Sequence, residues 1–246
     1  MRPGVINVAA MAGSSGVRVR IYCDFDGTIT TEDTTDAVLR ALAHPDWERL
    51  ETDWIEGRLT AAECMRRQVS LIQGDAAAID AVLERIELRE GFAQFSRWCD
   101  QRGVALVVVS DGVDRFIHQV LQRNGLAGLP VLSNRLVGGP GDWRLEQPWS
   151  SLTCAAGSGV CKCRITRTSA RDELVYIGDG RSDYCVAGEA DLLFARGSLV
   201  EHCRASKLEF LPFESFADVE GTLARRWRQP RQTALPAATA ATETTR

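Results

Sequence analysis

Val104-Ala105-Leu106-Val107-Val108-Val109 is a run of six apolar residues with no polar face to offer water. It is far short of the roughly 20 residues needed to cross a bilayer. A run so short, rich in β-branched side chains and apolar on both faces, belongs inside a parallel sheet covered by helices on each side. Similar runs occur at 174–177 and 192–195, the latter read as the last strand, and the run VRVRIYC at 17–23 precedes them all. Helical patterns separate them: 92–101, stopped by Gly103; a segment from Ser110 to about Asn124, with Gly125 as its left-handed cap; and one from about Ser182. Residues 131–144 read as two strands about a Gly/Pro turn. The alternation predicts an α/β fold with a doubly wound, Rossmann-like parallel sheet, whose ligands sit at the carboxyl ends of the strands.

The interval 33–88 has another rhythm. Thr60 and Glu63 make a capping-box pair ahead of Met65, Val69 and Ile72, and Asp75 precedes Ile79, Val82, Leu83 and Ile86 at helix spacing. This predicts a small all-helical cap inserted between 17–32 and 89–228, which together form the core. Residues 1–16 read as a flexible leader, in which Met11 is an alternative start, and 229–246, rich in Ala, Thr and Pro, as a disordered tail.

Composition narrows the partners. With 33 acidic against 29 basic residues and a net charge of -4, the chain has no general attraction for a polyanion, so no nucleic-acid partner is expected. No membrane partner is expected either. Eight cysteines in a chain of 246 residues, large enough to stand without disulfides, predict reduced thiols and a cytoplasmic location. Cys154, Cys161 and Cys163 lie within ten residues, but their spacing matches no standard zinc ribbon or knuckle, so ordinary or redox-sensitive thiols are the simpler reading and a structural zinc site the alternative. His44, His118 and His202 are too scattered to form a paired metal motif, and Arg225, Arg226, Arg228 and Arg231 around Trp227 read as the solvated end of a last helix.

The chemistry gathers at predicted strand ends. Asp24 and Asp26 follow the 17–23 strand, two residues apart, so both carboxylates face one pocket while Phe25 turns to the core. Asp179 and Asp183 follow the 174–177 strand and bring two more acids to the same edge. Four converging carboxylates repel one another unless a cation neutralises them, and Mg²⁺, which prefers oxygen ligands and keeps exchangeable waters, is the natural choice. Ser110, with Asp111 and Gly112 behind it, offers a hydroxyl and backbone N–H groups for an anion. Lys162 is a lone lysine whose meaning depends on the set it joins.

Asp24-Phe25-Asp26-Gly27-Thr28, the strand ending in Ser110, Lys162, and Gly178-Asp179-Gly180-Arg181-Ser182-Asp183 together resemble the four ordered motifs of the haloacid dehalogenase superfamily. The resemblance implies that Asp24 is a nucleophile that becomes an aspartyl phosphate and Asp26 the general acid and base. It also implies Mg²⁺ bound by the Asp24 side chain, the Asp26 main-chain carbonyl and Asp179, supported by Asp183. Ser110 and Lys162 would hold the phosphoryl group, helped by Gly112 and Thr28. The substrate implied is a small phosphorylated metabolite.

Within the superfamily the chain is similar to capped phosphatases that include phosphoserine phosphatase and the methionine-salvage enzyme 2-hydroxy-3-keto-5-methylthiopentenyl-1-phosphate phosphatase. Asp24 to Thr30 followed by Glu32 and Asp33, the Cys161-Lys162 pair, and Phe194-Ala195-Arg196-Gly197 leading to Leu211-Pro212-Phe213 lean toward the second. Asp33 takes the place of a Glu that usually meets the amine in phosphoserine phosphatases, which makes it a cap-side substrate candidate. Ser110-Asp111-Gly112 departs from the Ser-Gly-Gly usual in both groups. Arg58, Arg66 and Arg67 are candidates for a substrate carboxylate, though a solvated helix face explains them equally well. The alternatives are a phosphomutase, which would require a bisphosphate activator, and a metabolite-binding protein without turnover, which would have no use for an acid at Asp26.

Overall fold

A computed structural model describes residues 19–154, 156–167 and 173–228. The leader and tail expected at 1–16 and 229–246 lie outside the described residues. Seven strands form one sheet in the order β4-β3-β2-β1-β5-β6-β7. They are β1 (Val19–Cys23), β2 (Ala105–Val113), β3 (Val131–Val137), β4 (Arg144–Glu146), β5 (Glu173–Gly178), β6 (Leu192–Ala195) and β7 (Leu211–Pro212). All neighbours pair in parallel except β3 and β4. β1 lies between β2 and β5, where strand order turns from one direction to the other, and a doubly wound sheet opens its crevice at that point.

Alternation along the strands explains why both faces are covered. Ile21 and Cys23 of β1, Leu106 and Val108 of β2, and Val175 and Ile177 of β5 face one apolar core. There they meet Phe92, Phe95 and Trp98 of α5 (Phe92–Gln101), Phe116, Ile117 and Val120 of α6 (Asp114–Arg123), and Phe216, Val219 and Leu223 of α10 (Phe216–Arg228). Tyr22, Val107, Val109, Leu174 and Tyr176 face the other core, with Val186 of α8 (Tyr184–Ala187) and Leu199 and Cys203 of α9 (Gly197–Ser206). A buried side chain of this size contributes about 1.5 to 3 kcal/mol, so neither face of the sheet can be left open to water. Trp227 stacks on Trp98 with ring centroids 5.4 Å apart, so the arginine-flanked end of α10 is packed on one side.

Four helices stand between β1 and α5: α1 (Thr34–Leu42), α2 (Trp47–Ile55), α3 (Ala61–Val69) and α4 (Ala76–Leu83). Asp33, Thr60 and Asp75 cap α1, α3 and α4 by accepting from backbone N–H groups. The capping box at α3 is one-sided, because Glu63 spends its carboxylate on Arg66 and Arg67. The connections into and out of this unit run side by side: Thr30 bridges Leu88, and Arg89 N–H donates to the Ile29 carbonyl at 2.7 Å.

Three local expectations are corrected. β2 runs on through Ser110-Asp111-Gly112 to Val113 with a register shift, and α6 begins at Asp114, so Ser110 is not at a helix start. A two-residue β7 follows β6, which is therefore not the last strand. Beyond β5 the chain makes a short 3₁₀ turn over Arg181–Asp183 before α8. Among the described residues no helix is long and apolar enough to cross a membrane.

Candidate active site

Asp24 leaves β1 still paired with β5, its N–H donating to the Ile177 carbonyl at 2.9 Å, which sets its carboxylate at the central crevice. Phe25 is fully buried, as expected from alternation. Gly27 has φ +74, and a Cβ there would lie 2.5 Å from Asp179 Oδ2, so the turn after Asp26 needs glycine for both its backbone and its space. Arg89 holds the turn by donating to the Gly27 and Thr28 carbonyls at 2.7 and 2.9 Å.

Asp26 faces the cap. Its Oδ1 accepts from Thr34 N–H at 2.8 Å and Thr34 Oγ1 at 2.6 Å, and Ser110 Oγ lies 3.5 Å from its Oδ2. Burial raises the Asp26 pKa and the two Thr34 bonds oppose that rise. Gly112 N–H donates to Ser110 Oγ at 2.9 Å, and a Cβ on Gly112 would stand 2.4 Å from Asp26 Oδ2. Gly112 is thus a close-approach glycine rather than part of a helix N-terminus.

Lys162, the first residue of α7 (Lys162–Thr166), is fully buried and reaches Asp24 Oδ1 at 2.8 Å, Asp183 Oδ1 at 2.6 Å and Ser182 Oγ at 2.8 Å. Burial works against its charge, but Asp183 and Asp24 hold its pKa above the usual range. Asp183 is saturated: Oδ1 also accepts from Tyr176 OH at 2.5 Å, and Oδ2 from the N–H groups of Asp179 and Gly180 at 2.9 and 3.0 Å. Asp179 Oδ1 accepts from Thr28 Oγ1 at 2.6 Å, so the Thr28 hydroxyl meets a carboxylate.

Carboxylate oxygens of Asp24, Asp179 and Asp183 lie within 4.8 Å of one another. Burial, then the nearby Asp183, raises the Asp24 pKa well above the ordinary carboxylate value despite Lys162. Burial pushes Asp179 up to about 6. An oxygen-only set in which one lysine faces three acids is short of positive charge, and it fits a hard divalent cation such as Mg²⁺.

A cavity of about 280 Å³ lies between this edge and the cap. Asp24, Asp26, Ser110, Gly112 and Asp179 line its floor, and Asp33, Asp36, Glu51, Trp54, Cys64 and Met65 come from the cap side. Asp33 accepts from Asp36 N–H at 2.9 Å, so it caps α1 and faces the cavity at once. Arg58, Arg66 and Arg67 do not line the cavity: Arg58 pairs with Asp53, and Arg66 and Arg67 pair with Glu63. Among the described residues the cation that does line it is Arg181, 5.3 Å above the Trp54 ring.

Sequence reasoning missed Thr34 and Tyr176, whose partners Asp26 and Asp183 lie eight and seven residues away, beyond any single helix or strand period, and Arg89 and Arg181, whose partners are far along the chain. It flagged Asp111 only as an unusual residue. In the structure Asp111 Oδ1 accepts from Val160 N–H at 2.9 Å and from Asn134 at 3.2 Å, tying the Ser110 loop to the segment that leads to Lys162.

Residues 21–188 match the family model described as haloacid dehalogenase-like hydrolase. The chain is 34% identical over 215 residues to a 2-hydroxy-3-keto-5-methylthiopentenyl-1-phosphate phosphatase of Geobacillus thermodenitrificans, covering 83% of this chain and 95% of the relative. An Exiguobacterium protein of the same name is 32% identical, with 81% and 94% covered. Among solved structures, a substrate-bound phosphoserine phosphatase superposes with a TM-score of 0.62 at 21% identity, over 85% of this chain and 99% of that one. A phospho-aspartyl intermediate analogue of phosphoserine phosphatase gives 0.61 at 22% identity, over 83% and 98%.

Proposed function

The chain belongs to the haloacid dehalogenase-like hydrolases and is a phosphoric monoester hydrolase, and from that premise we propose that it is a Mg²⁺-dependent phosphatase of 2-hydroxy-3-keto-5-methylthiopentenyl 1-phosphate, working through an aspartyl phosphate on Asp24. The observation that carries the substrate reading is the cap face of the cavity, where Trp54, Met65 and Cys64 stand beside Asp33, Asp36 and Glu51 with no arginine from the cap among them. Such a wall suits an uncharged tail with hydroxyl donors and a polarizable methylthio end, since sulfur packs well against aromatic and thioether groups. It disfavours the carboxylate of phosphoserine, which would meet the acids.

Asp24 attacks phosphorus, forming its O–P bond as the bond to the leaving alcohol breaks, and Asp26 donates a proton to that alcohol oxygen. Water then attacks the aspartyl phosphate, giving its proton back to Asp26 and releasing phosphate and the Asp24 carboxylate. The raised pKa of Asp26 suits the first, proton-donating step. Lys162 aligns Asp24 and offsets charge, and Ser110, with Gly112 nearby, completes the phosphate end of the site, while Thr28, expected there, instead holds Asp179 through its hydroxyl. Asp24, Asp179 and the Asp26 main-chain carbonyl would hold Mg²⁺, and Asp183 orients Asp179 and Gly180 through their N–H groups. When bound, Mg²⁺ supplies neutralisation of the phosphoryl charge and alignment for in-line attack.

The test is phosphate release by the purified protein from a panel containing the methylthio substrate, phosphoserine and an activated aryl phosphate, with Mg²⁺ and with chelator. The expected result is Mg²⁺-dependent release with the methylthio compound strongly preferred. Preference for phosphoserine would overturn the substrate, and inert behaviour toward every compound would overturn the catalytic reading.

A further inference from the structure

Three cysteines that the sequence places within ten residues converge in space. The Sγ atoms of Cys154, Cys161 and Cys163 lie within 4.8 Å of one another, with Cys161 and Cys163 3.4 Å apart. Cys185, from α8, is a neighbouring fourth thiol that acts electrostatically on Cys154 and Cys163, but it stands outside the set within 4.8 Å. Three thiols therefore meet at one point, with that of Cys185 beside them. None is joined in a disulfide, and a single disulfide would use only two of the four.

We propose that Cys154, Cys161, Cys163 and Cys185 form a tetrahedral four-thiolate site for one Zn²⁺. At Zn–S distances of about 2.3 Å, tetrahedral sulfurs stand about 3.8 Å apart, which agrees with the three sulfurs of Cys154, Cys161 and Cys163 lying within 4.8 Å of one another, and Cys185 would move in to close the fourth position. An all-sulfur tetrahedral set selects zinc or an iron–sulfur centre. A multi-iron core would hold its ligand sulfurs further apart than these are.

The setting supports a structural role. The residues from Gln147 to Cys161 contain no regular helix or strand where described, and such a segment has few ladder hydrogen bonds to hold it. Cys161 and Cys163 flank Lys162, and Cys185 lies two residues beyond Asp183, the partner of Lys162 at 2.6 Å. One ion on the four sulfurs ties together, from behind, the two segments that present Lys162 and Asp183 to the crevice. The site is distinct from the oxygen-only set of Asp24, Asp179 and Asp183.

The experiment measures metal in the full chain, purified under reducing conditions and dialysed against a chelator mild enough to strip only Mg²⁺, by inductively coupled plasma mass spectrometry. One zinc per chain is expected. Cys161→Ser and Cys185→Ser should each lower retained zinc at least about tenfold, while Asp179→Asn should keep it. So that the test does not depend on the cysteine variants folding, the unmodified chain is also stripped and loaded with Co²⁺. Four-thiolate ligation then shows as near-ultraviolet sulfur-to-cobalt charge transfer with intense tetrahedral bands in the visible, which carboxylates do not produce. Zinc that follows Asp179 rather than the cysteines, a Co²⁺ spectrum without charge transfer, or a brown multi-iron preparation would each overturn the proposal.

Discussion

Thr34 Oγ1 stands 2.6 Å from Asp26 Oδ1, so the first residue of the first cap helix grips the carboxylate proposed as acid and base. The bond favours the ionised form and lowers the Asp26 pKa against burial. Its removal in Thr34→Val should raise that pKa further, moving the Asp26 limb of the kcat/KM profile to higher pH and lowering kcat about tenfold to a hundredfold. A pH–rate profile checks this; an unshifted limb would show that Thr34 merely packs.

Asp24→Asn is expected to reduce turnover by at least about a thousandfold, since an amide cannot form the aspartyl phosphate. Lys162 keeps Asp183 as partner, so the melting temperature should stay within about 5 °C of the parent. Substantial residual activity in a folded variant would sink the proposed mechanism.

Gly112→Ala separates space from backbone conformation. Its φ is not left-handed, so the effect is the collision of the new Cβ with Asp26 Oδ2, 2.4 Å away, and Ser110 Oγ, 3.0 Å away. Displacement of Asp26 should lower kcat about a hundredfold while circular dichroism remains unchanged. Equal kcat in parent and variant would argue against a fixed Asp26 position.

Asp111 gives a pH test away from the proposed metal ligands. Burial holds its pKa up to about 6, against about 3.9 in an unfolded chain. The folded state therefore binds the proton more tightly, so this contribution to stability is full below about pH 4 and is lost as pH rises through about 6. Asp111→Asn, which keeps an acceptor for Val160 N–H without the charge, should gain on the parent by about 1 to 2 kcal/mol between about pH 4 and pH 8 after discounting for partial solvent access. Melting curves in chelator check it, and a constant difference across that range would contradict it.

Sheet strands and cap helices were legible because each carries its own period. The Val104 to Val109 run has no polar face, and Thr60 and Asp75 mark helix starts that depend only on residues three positions on. The end of β2 was misread because a serine followed by Asp-Gly looks like a helix start. Pairing of Val113 with Asn134 on β3 kept the backbone extended instead.

From the sequence alone came the α/β class, the inserted helices and the gathering of Asp24, Asp26, Ser110, Lys162, Asp179 and Asp183 at one sheet edge, because strand ends and local spacing dictate where those side chains go. Only the tertiary structure decided what each one touches. The bonds from Thr34 to Asp26, Thr28 to Asp179, Tyr176 to Asp183 and Val160 to Asp111, and the meeting of Cys154 with Cys161 and Cys163, depend on packing and burial across the whole fold. Local periodicity carries no information about those distances.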